Sequence, residues 1–289
     1  MGQNRTATAG NYVKSQKGKH NRSERIFMNE STKYKIMKNR ELLKGHGSWD
    51  IGAEATDQQQ KLPGILPVKK PQSRQIIELP MDFSDVVSKD SLLDLLKTRI
   101  SHRKYRDQQL TLKELSFLLW STQGIRRIMD GDPQITFRTV PSAGSRHPLE
   151  TYLFINQVAG LKPGLYHYLP ELCQLECLDA DGDFQEELTQ GLCGQAFAAE
   201  APVVFVWSAV PYRTEWRYSL KAVKYILLDA GHACENLYLA CEAIGCGTCA
   251  IGAYDQEFMD ELLGFLPGPS AEKDYECVVY IASVGKVKS

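Results

Sequence analysis

Residues 219–251 read SLKAVKYILLDAGHACENLYLACEAIGCGTCAI, and the order of elements in this stretch decides the fold. Ser219 to Ile244 is predicted as one long helix, apolar on more than one face and stopped by Gly245. A helix that apolar belongs inside the protein or at a subunit interface. Thr248–Ile251 behind it is predicted as a strand. Gly245-Cys-Gly-Thr-Cys-Ala250 formally matches the dinucleotide fingerprint G-x-G-x-x-G/A. That motif needs a strand before it and a helix after it, so that the helix N-terminus meets the pyrophosphate. Here the order is reversed. The doubly wound reading falls, and Gly245 and Gly247 are a helix stop and a turn.

Working outward, Ser91-Leu-Leu-Asp-Leu-Leu-Lys97 has apolar residues at helical spacing. Thr111-Leu-Lys-Glu114 is a capping box, whose two side chains satisfy each other's orphan amides, and the helix it opens ends at Gly124. A loop rich in Gly, Pro, Ser and Arg is predicted from Arg126 to Pro148. Strands follow at Leu149–Ile155, Leu165–Tyr168, Gln174–Leu178, Ala201–Ser208 and Cys277–Val284, with a short helix capped by Asp255. Irregular interleaving with a hairpin predicts an α+β fold. Residues 1–80 read as a basic extension with short helical pieces around Ser23–Leu43 and a Pro-rich linker. Residues 81–289 form the body.

The chain has 289 residues, 43% of them apolar, with a net charge of −1. That size supports a sizeable core without staples. No apolar run approaches the roughly 18 residues of a membrane span. The polar N-terminal stretch has no secretory h-region, and eight Cys then point to free thiols in a reducing cytoplasm. Residues 1–50 carry a balance of +7 against −8 for the remainder. The positives are scattered singly and no nucleic-acid motif accompanies them, so an arm lying over an acidic protein surface is expected rather than nucleic-acid binding.

Cys246-Gly-Thr-Cys249 lacks a convincing second pair for zinc and sits at a helix C-terminus, which does not activate a thiol. Core thiols are expected there and at Cys234 and Cys241. His232 and Glu235 share a helical face without a second such pair, so no metal centre is expected, and His232 reads as a buried, hydrogen-bonded histidine. The sharper cluster is His102-Arg-Lys-Tyr-Arg106, with four potential cations in five residues. With the small-residue turn Pro141-Ser-Ala-Gly-Ser145 and a second turn at Gly252-Ala253, it offers donors for a phosphorylated planar cofactor.

These segments carry a resemblance. Arg103-Lys-Tyr-Arg-Asp107, Leu112–Gly124, Arg138–Tyr152 with Gly164-Leu-Tyr-His-Tyr168, and Leu227-Leu-Asp-Ala-Gly-His232 leading to Ala250–Asp255 follow in order over residues 90–289. The body resembles the FMN-dependent nitroreductase family, and within it the SagB-type branch related to thiazoline/oxazoline dehydrogenases. The resemblance implies a central, mainly antiparallel sheet flanked by helices and an interlocked homodimer with FMN at the subunit interface. It places His102, Arg103, Lys104 and Arg106 at the phosphate, ribityl and flavin N1/O2 contacts. The family usually has Arg-Arg-Ser-x-Arg there, so His102 and Lys104 are departures. Pro141, Ser142, Ala143, Gly144 and Ser145 would reach the flavin from the partner subunit, and Gly252 and Ala253 would offer amides near N5 and O4. Lys286 or Lys288 would help hold the phosphate.

The implied activity is transfer of hydride from NAD(P)H through flavin to a nitro, quinone or similar small acceptor. The resemblance implies a second possibility through Lys224-Tyr225, a pair that azoline dehydrogenases carry before the Asp-Ala-Gly-His segment. There the pair would act as catalytic residues in oxidising an azoline ring of a modified precursor peptide. A helix-face Lys and a packing Tyr account for the two residues equally well. Arg217 and Tyr218 would line the entrance.

Overall fold

The computed structural model describes residues 30–44, 55–180, 182–265, 268–269 and 272–287. The chain divides into two units, Met1–Arg40 and Glu41–Ser289. Helix α1 (Glu30–Lys44) is the first described element, and Tyr34 and Met37 on it are exposed. The expected helical pieces before Glu30 lie outside the described residues.

The second unit runs β1 (Ile76–Glu78), α2 (Leu92–Thr98), α3 (Leu112–Gln123), β2 (Ile125–Met129), β3 (Ile135–Arg138), β4 (Leu149–Ile155), β5 (Gly164–Leu169) and β6 (Gln174–Ala180). It continues α4 (Gln185–Gly191), α5 (Ala196–Ala199), β7 (Val203–Ala209), α6 (Tyr212–Tyr218), α7 (Ala222–Ala243), β8 (Cys246–Ile251), α8 (Gln256–Leu262) and β9 (Cys277–Lys286). Seven strands form one sheet in the order β1-β6-β5-β4-β7-β9-β8, and every neighbouring pair is antiparallel. The α+β expectation holds.

β-branched and aromatic residues build the middle of the sheet, and period-two alternation distributes them between two cores. Leu153 and Ile155 of β4, with Val203, Phe205 and Trp207 of β7, join Leu115, Leu118 and Leu119 of α3 and Ala233, Leu237 and Cys241 of α7. Their alternates Tyr152, Phe154, Val204 and Val206 pack with Leu188, Ala198 and Met259 on the opposite face. Antiparallel sheets often leave one face to solvent; here helices cover both, and every residue of β4 and β7 is buried.

Local signals act as read. Thr111 and Glu114 form the complete capping box of α3, and Asp255 caps α8 through Phe258 N. Three readings are corrected, the first being Gly247, which lies within strand β8 opposite Gly285 and is not a turn. The helix predicted from Ser219 stands as one continuous helix but starts three residues later: Ser219 takes a left-handed φ of 47°, a single 3-10 turn covers Ser219–Lys221, and α7 begins at Ala222. The predicted loop 126–148 contains the hairpin β2–β3, which stands apart from the main sheet.

The Pro-rich stretch before β1 is tied to the body. Gln58 N donates to Trp216 O, Trp216 Nε1 to Leu62 O, Arg213 Nε to Leu66 O and Arg138 Nη2 to Pro67 O. Buried charges complete the attachment. His167 places Nε2 3.0 Å from Glu150 Oε2 and Nδ1 2.7 Å from Glu176 Oε1. Glu150 also accepts from Arg213, and Glu176 from the amides of Gln72 and Ser73. Lys69 pairs with Glu276, which accepts from Ser208. Burial alone would pull the His167 pKa down, but the hydrogen bonds to Glu150 and Glu176 prevail and hold it above the ordinary imidazole value. Burial would push Glu150 up, but the Arg213 guanidinium and His167 hold it well below the carboxylate range.

Candidate active site

The cationic turn is positioned by its one aromatic residue. Ser101 bridges Thr248 on the outer edge of β8, His102 N donates to Thr248 O, and Arg106 N donates to Lys286 O at 2.8 Å. Between them the Tyr105 hydroxyl bonds the Ser283 hydroxyl at 2.7 Å and donates to His102 O. Its ring lies where a side chain on Gly285 would stand, 2.7 Å from an ideal Cβ, and the His102 ring covers Gly247 in the same way at 2.6 Å. Two glycines thus allow the turn to lie directly on strands β8 and β9. With Tyr105 turned inward, Arg103, Lys104 and Arg106 are exposed. Among the described residues none of these three cations is in an ion pair. Together with Tyr105, Asp107, Gln157, Phe197, Glu200 and Pro202 they line a cleft of about 470 Å³. Tyr105 was absent from the expected site, although its place inside the cation run was the available signal.

The second cluster forms across a large sequence separation. Ser142 Oγ donates to Asp229 Oδ2 at 2.6 Å and accepts from His147 N at 2.9 Å. Gly144, Ser145 and His147 all have left-handed φ values, of 58°, 53° and 46°. Such backbone is costly for Ser and His, and the Ser142–Asp229 bond is one of the contacts that hold it. Burial pushes the Asp229 carboxyl up, while the Ser142 hydroxyl and Ala143 amide oppose that shift.

Over this turn lie Arg217 and Tyr218 at the end of α6. An ideal Cβ on Gly144 would stand 2.6 Å from the Tyr218 hydroxyl and 3.1 Å from Arg217 Nε, so only glycine admits this contact. The Tyr218 ring meets the Tyr225 ring edge-on, with centroids 4.7 Å apart. The structure therefore brings Tyr225 to the Pro141–Ser145 turn through Tyr218. Lys224 is exposed, and its ammonium donates to Leu43 O at 2.8 Å.

Other expected residues have distinct surroundings. Gly252 and Ala253 follow β8 and are exposed; Ala253 O accepts from Gln195, and nothing stands where a Gly252 Cβ would be. Lys286 pairs with Glu114, the capping-box carboxylate of α3. Lys288 lies outside the described residues. The Cys234, Cys241, Cys246 and Cys249 thiols are buried, and burial raises the pKa of each, as expected of core thiols. His232 is exposed, a correction: it falls with Gly231 and Glu235 on the outward face of α7. Among the described residues no His, Cys, Asp and Glu cluster suits a metal ion, and no helix is long and apolar enough to cross a membrane.

Comparison with known proteins adds to this geometry. A nitroreductase homologue of Methanocaldococcus jannaschii is 35% identical over 187 residues, covering 64% of this chain and 88% of its own. The trifolitoxin-processing protein TfxB of Rhizobium leguminosarum bv. trifolii is 26% identical over 112 residues, covering 37% of this chain and 30% of its own. A nitroreductase-type crystal structure from Ralstonia eutropha JMP134 matches with a TM-score of 0.57 and 26% identity, over 79% of this chain and 95% of that one. Another from Anabaena variabilis matches with a TM-score of 0.56 and 24% identity over 73% of this chain, which spans 41% of the Anabaena chain. The sequence model of the nitroreductase family covers residues 96–286, from the end of α2 through the cationic turn to the last strand. By fold and by sequence, the chain belongs to the nitroreductase family of oxidoreductases.

Proposed function

We propose that this chain is an FMN-dependent oxidoreductase that takes reducing equivalents from NAD(P)H and delivers them to a nitro, quinone or similar small acceptor. The observation that carries this reading is the turn 102–106. It presents Arg103, Lys104 and Arg106 outward, unneutralised, at the rim of a cleft. A phosphate monoester calls for such a donor set: forked guanidiniums and an ammonium, here outnumbering the Asp107 and Glu200 carboxylates that line the same cleft. The residues present therefore fit FMN. With Lys286 committed to Glu114, Arg103 and Arg106 would carry the phosphate end and the negative charge near N1/O2. Ser142 to Ser145, Gly252 and Ala253 would provide small residues and backbone groups for close approach to a flat ring.

Bound FMN supplies the two-electron redox chemistry that side chains lack. The chain's own part is to bind, to orient and to keep cations beside developing negative charge. A homodimer accompanies this reading. Leu227 and Leu228 on α7, and Leu92, Leu93 and Leu96 on α2, are large apolar residues left exposed, as an interface between two copies requires. A cytoplasmic setting suits the free thiols.

A second reading is oxidation of azoline rings in a modified peptide. It is favoured by the partial similarity to TfxB and by the placement of Tyr225 against Tyr218 at the Gly144 turn. One anaerobic experiment separates the two. Bleaching of the yellow protein by NADH or NADPH alone is the expected result. Bleaching only by an azoline peptide, and its loss in Lys224→Ala and Tyr225→Phe, would transfer the assignment to the second reading.

A further inference from the structure

Two arginines converge on the Gly144 turn. Arg146 is almost wholly buried, with 6% of its surface exposed. Its Nε donates to Gly144 O at 3.2 Å, and its guanidinium lies over the Trp216 ring, 5.3 Å from the centroid. Arg217 approaches the same glycine from α6, with its guanidinium over the Tyr218 ring at 5.6 Å. Among the described residues no carboxylate pairs with either arginine. Asp229 on the neighbouring helix gives its oxygens to Ser142 and Ala143 instead. Burial lowers the Arg146 pKa, and the Arg217 charge lowers it further. Arg146 is a buried cation with no carboxylate partner, and an oxyanion between it and Arg217 would offset both its desolvation and the repulsion between the two.

We propose that Arg146 and Arg217 form an oxyanion subsite, which grips a carboxylate or phosphate on a small molecule that exchanges electrons at this centre. The inference rests on the oxidoreductase reading above and adds a substrate class to it. Tyr218 and Tyr225, in edge-to-face contact beside the two arginines, give the subsite aromatic neighbours. The site is distinct from the turn 102–106, to which the FMN phosphate is assigned. Two sources of the anion are open to it: an acceptor bearing a carboxylate, or the extra phosphate that distinguishes NADPH from NADH.

The test uses the flavin-loaded protein and Arg217→Ala, with Arg217→Lys as the conservative variant. Arg217 is exposed, so the fold tolerates its replacement. Titration with benzoate and with inorganic phosphate is followed by tryptophan emission, since Arg146 covers Trp216. A saturable change in the wild type, weakened about tenfold in Arg217→Ala and partly restored in Arg217→Lys, is expected for a lost charge-assisted contact. Kinetics with 4-nitrobenzoate against 4-nitrobenzyl alcohol, and with NADPH against NADH, identify the source. In Arg217→Ala the KM of the charged member of one pair rises about tenfold, with kcat and the neutral member little changed. Equal KM ratios in wild type and variant for both pairs, or loss of FMN from Arg217→Ala, overturn the proposal. Failure of NAD(P)H to bleach the wild type would sink the NAD(P)H-to-acceptor reading instead, and would leave the emission titration standing.

Discussion

Ser142 on the loop before β4 and Asp229 on α7 are joined by a 2.6 Å hydrogen bond across 87 positions of sequence. Asp229 is buried, and Ser142 in turn accepts from His147 N, so one carboxylate holds both ends of a turn with three left-handed residues. Asp229→Ala leaves the Ser142 hydroxyl and the Ala143 amide without their acceptor and is expected to cost about 1–3 kcal/mol. Asp229→Asn keeps an acceptor for Ser142 and should stay within about 1 kcal/mol of wild type. Urea unfolding gives both values. FMN titration should show the Ala variant binding more weakly, because the turn proposed to face the ring is no longer held.

The His167 network makes stability depend on pH. Relative to 6.5, the folded imidazole is raised, so its stabilisation is complete below about pH 6.5 and is lost as pH rises through the folded value. Glu150 and Glu176 are lowered from 4.5, so their share is present above about pH 4.5 and is lost as pH falls through their folded values. At pH 6 His167→Gln should lose about 3–5 kcal/mol, the usual cost of removing one partner from a buried charged set. The gap in melting temperature between wild type and variant should shrink as pH rises above about 6.5, until the folded imidazole has lost its proton. A constant gap would show that His167 is neutral in the folded chain.

Glu114 serves two roles, closing the capping box on Thr111 N and pairing with Lys286. Thr111→Ala removes only the cap and is expected to cost about 1 kcal/mol. Glu114→Ala also strands a largely buried ammonium and should cost clearly more, about 3 kcal/mol. Lys286→Ala should change stability without changing FMN affinity, a contrast that flavin titration measures directly.

What the sequence made legible was local and periodic. Strand β4, the capping box at Thr111 and the Asp255 cap each depend on residues within one turn or one pleat of each other, and all stand where they were expected. The cationic run 102–106 was visible as chemistry, while the reason it lies on the sheet edge was not. That reason depends on Tyr105 meeting Gly285 and Ser283, about 180 residues away. The start of α7 at Ala222 rather than Ser219 is not legible in the sequence, because a single left-handed residue leaves no mark on apolar periodicity. His167 and Glu176 face each other across the β5–β6 hairpin, yet their pairing with Glu150 and Arg213 is set by the order of strands, which no local pattern encodes.

The exposed apolar face of α7 bears on assembly. Leu227 and Leu228 are 57% and 50% exposed, next to Gly231, whose Cβ position is open space. Leu227→Arg should shift sedimentation from dimer to monomer and release FMN, while the melting profile of the isolated protomer stays cooperative. An unaltered dimer in this variant would place the interface on another face.

We propose that Arg103 and Arg106, in the turn laid on β8 and β9, anchor the phosphate of a bound flavin. The most direct test is the visible absorption spectrum of freshly purified protein before and after gel filtration, in wild type and in Arg103→Ala/Arg106→Ala. The account predicts a yellow wild type that retains FMN through the column, and a folded double variant that elutes colourless and takes up added FMN at least about tenfold more weakly. A wild type that stays colourless after incubation with FMN, or a double variant that keeps its flavin as tightly, would contradict it.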